Sequence, residues 1–459
     1  MKFLAPNGHL GFAPLRRESF LIGLDERPDA IIADSGSSDI GPAPLALDFS
    51  TSPLAWQRSD LAEMLIGARR LGVPMIIGSA GDTGSNSRVD LYVRLIQEIA
   101  EEYQLPEFTI GYFYSELAVS DLQARLKNGV RISGLDGRPD LTEGDLDETD
   151  RVVAVAGVHP FMALLERGAD VIIGGRCSDA AIFAAPAIRA GFSEALSYNL
   201  GKLLECASFC AEPYGGKESV LGTIAADDIQ VTAMHPAQRC TVASVSSHAM
   251  YERANPFSEF VLGGHLDMRT CYYEQLDERT TRVTGATFTE SQPLTVKLEG
   301  AGKVGERYVG FAGIRDPYTV ANLDAVIGWA REQVRDAFGE QGYSLFFHRY
   351  GVDGVMGEWE PQRQLPHEVG VVVEAIAPTL EVAEAVCMTA TRQMFYARLP
   401  DVKGTAGCVA FLFDEVLPAR ASCKWTLNHL LAVEDPLELF PLHTTQGGVP
   451  SSAPAVKGA

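Results

Sequence analysis

The stretch Val152–Arg189, VVAVAGVHPFMALLERGADVIIGGRCSDAAIFAAPAIR, decides how the chain is read. Two apolar runs of strand length, Val152–Val155 and Val171–Ile173, flank a segment in which Phe161, Leu164, Leu165 and Gly168 recur with a helical period. Strand, crossover helix, strand is a unit whose two strands are expected to pair in parallel. After the second strand comes the turn Gly174-Gly175-Arg176-Cys177-Ser178-Asp179, which opens onto a further helix over Ala180–Ala190. Ligands of open α/β sheets bind beyond the carboxyl ends of the strands, so this turn is a candidate site. Its glycines let backbone approach a ligand, free N–H groups at a helix start favour an anion, and Arg176 adds a fixed charge. A tight turn with Ser178 or Asp179 as helix cap is the alternative.

Two upstream loops carry matching chemistry. A strand over Ala30–Ala33 leads into Asp34-Ser35-Gly36-Ser37-Ser38-Asp39, crowded with carboxylates and hydroxyls. An amphipathic helix over Asp60–Leu71 and a strand over Val73–Ile77 lead into Gly78-Ser79-Ala80-Gly81-Asp82-Thr83-Gly84-Ser85-Asn86-Ser87-Arg88. Loops after successive strands of one parallel sheet meet at one rim. None matches GxxxxGK[ST] or a full GxGxxG fingerprint, so no nucleotide class is supported.

After Tyr198 the pattern changes. Leu200–Cys210 reads as a helix, and Pro213-Tyr214-Gly215-Gly216-Lys217 as a break. Beyond it Val220–Ala225, Arg239–Val245, Arg282–Thr287 and Leu294–Leu298 alternate like strands, while Val320–Phe338 and Thr379–Leu399 keep helical periods. The expected architecture is an α/β domain over residues 1–215 with a largely parallel, Rossmann-like three-layer sheet. An α+β domain with a mainly antiparallel sheet follows over 216–445, and the Gly-, Pro- and Ser-rich tail 446–459 is expected to be disordered.

Asp and Glu number 60 against 38 Lys and Arg, a net charge of −22, which speaks against nucleic acid or an anionic membrane as partner. No apolar run approaches the roughly 20 residues that span a bilayer, and the N-terminus lacks a signal-peptide core. The 8 cysteines show no CxxC pairing. Cys206, Cys240, Cys387 and Cys408 sit among apolar neighbours, as reduced thiols of a cytoplasmic protein would. A cytoplasmic enzyme, expected as a homo-oligomer, is the leading class.

Arg176 would hold a carboxylate or phosphate, with Ser178 and Asp179 beside it; an ion pair with Asp179 or Asp170 is the alternative. Asp34 and Asp82 are candidates to move protons, and with Asp39 they could take a hard cation such as Mg²⁺; helix caps and Asx turns compete. No cofactor beyond that Mg²⁺ is indicated. His159, at the end of the first strand of the central unit, is a third acid/base candidate. Ser37, Ser85 and Asn86 would orient polar groups of a substrate. Cys177, near a helix start, is a weaker nucleophile candidate. His235 and His248 could reach the rim from the second domain. Glu205, in an apolar helix, is expected to point outward.

The order of these motifs resembles the acyclic terpene utilisation A (AtuA-like) family. GADVIIGGRCSDAAIFAAPAIRAGF (Gly168–Phe192), KLLECAS (Lys202–Ser208), the block Gln230–Pro256 ending HAMYERANP, RVTGATFTESQPLTVKL (Arg282–Leu298), GFAGIRDP (Gly310–Pro317) and WTLNHLLAVEDPLELF (Trp425–Phe440) fall in that family's order. Gly168, Ala169, Asp170, Gly175, Arg176 and Asp179 match its most specific signature. The resemblance implies catabolism of branched, often CoA-activated acids. The expected function is therefore a lyase or isomerase that hydrates, dehydrates or isomerises a small carboxylic acid or its CoA ester. A Mg²⁺-assisted hydrolase or lyase, and a non-catalytic subunit of a catabolic complex, are the alternatives.

Overall fold

A computed structural model describes residues 1–449 except 254, 363, 403–408 and 412–415. Cys408 and the tail from residue 450 lie outside the described residues. The chain forms two compact units, Met1–Ala301 with Trp425–Ala459, and Gly302–Lys424.

At the centre of the first unit are five parallel strands: β1 (Lys2–Ala5), β2 (Ala30–Gly36), β3 (Met75–Asp82), β4 (Phe108–Phe113) and β5 (Val171–Ile173). Their order across the sheet is β1-β2-β3-β5-β4. Side chains of β2, β3 and β5 are buried along their whole length, as a parallel sheet covered on both faces requires. Helices Leu54–Leu71 and Asn86–Glu102 cover one face around Met64, Leu65, Tyr92 and Ile96. Helices Ala181–Arg189 and Glu194–Leu204 bury Ile182, Phe183, Leu200 and Leu203 in the other core.

Antiparallel strands extend this sheet at both edges. Val220–Ile224 pairs with β1, and Ile229–Ala233, Thr280–Thr284 and Tyr272–Gln275 follow outward. Leu442–Gly447 pairs with β4. The break expected at Pro213–Lys217 thus lies inside the first unit, and Gln446, expected in a disordered tail, is a strand residue.

The parallel pairing expected of the two strands of the central unit does not form. The strand Arg151–Ala154 does not pair with β5; it runs antiparallel to Leu298–Ala301 and to Glu116–Leu117, in another sheet. A strand has two edges, and those of β5 are taken by β3 and β4. Only Ala156 and Cys177, just beyond the two strands, form a parallel bridge. Arg239–Val245, expected as a strand, runs into a helix instead. Thr241 forms a capping box with Ser244 and starts a helix over Val242–Ala249.

In the second unit Val369–Ala377 pairs antiparallel with Glu306–Ile314 and with Ser344–Tyr350. Helices Leu323–Phe338 and Leu380–Phe395, close to the predicted spans, build its core with Val326, Val334, Val386 and Met394. The protein is thus mixed α/β, with a largely parallel central sheet in its N-terminal region and antiparallel sheets later.

Candidate active site

The carboxyl ends of β2, β3, β4 and β5 are laced together by backbone. Ser79 and Ala80 donate to the carbonyls of Gly175 and Gly174, and Gly175 N donates to Phe113 O. A register shift between β2 and β3 follows Asp34, and Ser79 and Asp82 take positive φ of 45° and 77°. Left-handed backbone at two non-glycine positions is strain held in place by its surroundings, and such strain gathers at functional sites. A Cβ at Gly84 would stand 2.1 Å from Arg176 N, so only glycine lets the second loop lie against the third.

Arg176 is buried at this meeting point. Its backbone N donates to Ser115 Oγ at 2.7 Å and Nε to Glu299 Oε2 at 2.9 Å. Nη1 donates to Ser79 Oγ (3.1 Å), Cys177 O (3.0 Å) and Asp179 Oδ1 (3.2 Å). The guanidinium expected to hold a substrate anion therefore faces carboxylates of the protein. Glu299 is itself buried, and burial raises its pKa; Arg176 and Lys297 outweigh that and bring it down to about 2. Lys297 Nζ reaches Glu299 Oε1 at 2.9 Å.

Asp34 lies beside this pair in the opposite state. Burial first, and then the negative charge of Asp179, push its carboxyl well above the usual range, and Arg176 offsets only part of this. Oδ2 accepts from Gly36 N at 3.1 Å, whereas Oδ1 is buried without a hydrogen-bond partner. A carboxyl whose pKa is raised by burial beside a fixed cation is the pattern of a tuned acid.

Asp82 contrasts with it. His9 Nε2 lies 2.9 Å from its Oδ1, and Oδ2 accepts from Ser50 Oγ (3.1 Å), Thr51 Oγ1 (2.8 Å) and Thr51 N. Burial raises this carboxyl too, but these bonds prevail and hold it low. Asp82 is an ionised anchor, and His9 is a partner that sequence reading missed because it lies far upstream in an unpatterned loop.

The other candidates spread along the rim. Ser37 caps the short turn Ser38–Ile40 by accepting from Asp39 N at 3.1 Å. Ser85 Oγ donates to Asp48 at 2.9 Å, and Asn86 N donates to Glu116 Oε2 at 3.0 Å, so both fasten the loop to its neighbours. Ser178 N donates to Ala156 O at 2.9 Å, closing the bridge beside Arg176. His159 begins the helix His159–Glu166, with Nδ1 unpartnered and its pKa lowered by burial; the charge facing it is Asp435, not the Arg176 cluster. Cys177 is buried with its Sγ 3.5 Å from Ser79 Oγ, and burial pushes its thiol up, away from a nucleophilic thiolate.

Asp34, Asp39 and Asp82 do not converge. Among the described residues no group of three or more His, Cys, Asp or Glu could hold a metal ion, so the expected Mg²⁺ set has no support here. Glu205, expected to point outward, is buried and paired with Lys202; burial raises it to about 8 despite that partner. His248 lies in the first unit, buried and stacked on Tyr251 at 4.8 Å, and His235 accepts from Ala237 N at 3.2 Å.

Next to Glu299 opens a cavity of about 310 Å³, lined among others by Ser38, Asp39, Arg138, Lys297, Trp425 and Asn428. A narrow slot shares Ser38, Glu299 and Trp425 with it and reaches Ser37, Asp82 and Arg176. Glu299, Lys297 and Ser115 were missed because they come from outside the three loops. A charged pair alternating with Val296 and Leu298 in a strand was the only trace.

The family model described as acyclic terpene utilisation family protein AtuA matches residues 8–421. No curated protein and no solved structure gives a significant match. No described helix is long and apolar enough to cross a membrane. The matched span takes in every strand end of the rim, from Asp34 to Arg176, together with Glu299, and the chain belongs to the acyclic terpene utilisation AtuA family.

Proposed function

We propose that this chain is a catabolic lyase or isomerase that moves a proton on a small branched carboxylic acid, or its CoA ester, derived from an acyclic terpene. The observation that carries this reading is Asp34, a buried carboxyl with a raised pKa and an unpartnered Oδ1 beside Arg176. Hydration, dehydration and isomerisation of such acids need a group that holds a proton near neutral pH and releases it to the substrate. The adjoining cavity supplies two cations for a carboxylate or phosphate, Arg138 and Lys297, the latter shared with Glu299, a task first expected of Arg176. Family membership supports the terpene-derived class. The free thiols among the described cysteines agree with work in the cytoplasm, where we expect a homo-oligomer.

The test is a thermal-shift screen of wild type, Lys297→Ala and Asp34→Asn with small carboxylic acids and acyl-CoA esters. A ligand at a hundredfold excess over its Kd adds about 2.7 kcal/mol of stability. One acid class is expected to raise the melting temperature of wild type and Asp34→Asn but not of Lys297→Ala. That acid, incubated in D₂O, should take up deuterium with wild type and not with Asp34→Asn. No shift with any acid or thioester would remove the enzyme reading and favour a subunit of a larger assembly.

A further inference from the structure

The second unit contains a cavity of about 590 Å³, within the range that holds small ligands. Helix Leu323–Phe338, strand Ser344–Tyr350 and the loop after that strand build it, all of them within this unit. Most of the charge along its wall is neutralised by the protein itself. Arg349 donates Nη1 to Asp324 at 2.5 Å and Nε to Asp353 at 2.8 Å, and His348 Nε2 lies 2.7 Å from Glu374. Two lining charges of opposite sign remain. Arg331 lays its guanidinium on the Phe347 ring, 4.9 Å from the centroid, and donates Nη1 to Leu345 O at 3.0 Å. A ring and a carbonyl thus fix its plane, while Nε and Nη2 make no hydrogen bond and the group has no carboxylate partner among the described residues. Glu358, in the short turn Gly357–Trp359, has no cationic partner among them either. Between these charges the wall is apolar. Val355 and Met356 stand in the loop 85 % and 50 % exposed, and adjacent apolar side chains left in water beside a cavity mark a surface that a ligand covers.

An arginine whose plane is already fixed gives up little freedom when it takes a carboxylate on two parallel N–H groups. We infer that this cavity binds an α-amino acid with a bulky apolar side chain. Its carboxylate accepts from Nε and Nη2 of Arg331, its ammonium pairs with Glu358, and its side chain covers Val355 and Met356 against Phe347. The charge of the wall selects a zwitterion over a plain acid. Asp324, Asp353 and Glu358 face Arg331 and Arg349, one negative charge in excess, so a monoanion would add to the repulsion and leave Glu358 unpaired. A zwitterion brings no net charge and meets both unpaired groups. The site goes beyond the proton-transfer reading and does not require it, since binding here is measured without turnover.

The test is calorimetric titration of the full chain at pH 7 with L-leucine, L-methionine and L-phenylalanine. At least one of them is expected to bind. Arg331→Ala and Glu358→Gln should each weaken that binding about tenfold or more, the loss that goes with one hydrogen bond to a charged group. Arg331→Lys, which keeps the cation without the planar fork, should fall between wild type and Arg331→Ala; it keeps the test valid if the alanine variant folds poorly. For leucine the two halves of the claim separate. 4-Methylpentanoate lacks the ammonium and 3-methylbutylamine lacks the carboxylate, and each should bind about tenfold or more weakly than the amino acid. No heat with any of the three amino acids, binding untouched by both Arg331 variants, or 4-methylpentanoate binding as tightly as leucine would overturn the inference.

Discussion

Buried charge in the first unit is resolved residue by residue. Glu299 and Asp82 are held ionised by Arg176, Lys297, His9 and hydroxyl groups, while Asp34 and Glu205 are driven toward their protonated forms. The split follows from the number of donors, since a buried carboxylate with few of them takes up a proton instead. Glu205 gives this a measurable consequence. Its pKa rises from 4.5 in a free chain to about 8 in the fold, burial being the cause and Lys202 only a partial offset. Between those values the folded protein keeps a proton that the unfolded chain has released. The group's contribution is present below pH 4.5 and is lost as pH rises toward about 8. Glu205→Gln should therefore flatten the fall in stability over that window, by at most about 1.4 kcal/mol per pH unit. Urea unfolding of both proteins at several pH values checks it; parallel curves would mean that Glu205 is ionised in the fold.

The elements were the most legible part of the sequence. Helical periods placed Leu323–Phe338 and Leu380–Phe395 within a few residues, and short apolar runs located β2, β3 and β5. Both failures have one physical cause. Val152–Val155 and Arg239–Val245 carry apolar residues that suit more than one setting, and a strand's partner or a helix cap decided which. The rim loops are positioned by close backbone approach more than by their polar side chains. Gly84, at φ +63° and against Arg176 N, is the tightest such point. Gly84→Ala is expected to cost about 1–3 kcal/mol, the range for overpacking, and to loosen the Arg176 turn. Thermal unfolding measures the first effect, and weaker ligand shifts than in wild type the second. A variant as stable as wild type would show that the loops can part without penalty.

For the whole molecule, the last strand is the test of how the first unit closes. Leu442–Gly447 covers the free edge of β4 along six paired positions, with Tyr112 stacked on His443 at 5.2 Å. A chain ending at Phe440 should melt several degrees lower and aggregate more readily, because it leaves an open edge strand. Light scattering during heating reads both, and an unchanged transition would mean that this edge needs no cover. Periodicity and motif order alone carried the class of the protein: the parallel strands, the polar loops that follow them and the family. These are local matters, written in periodicity, composition and motif order. Which carboxylates keep their protons, where Arg176 spends its hydrogen bonds, and that Glu299 and His9 belong to the same unit as Asp34 were decided only by the tertiary structure. A pKa depends on burial and on charges brought near from distant parts of the chain, and no spacing along the sequence encodes that.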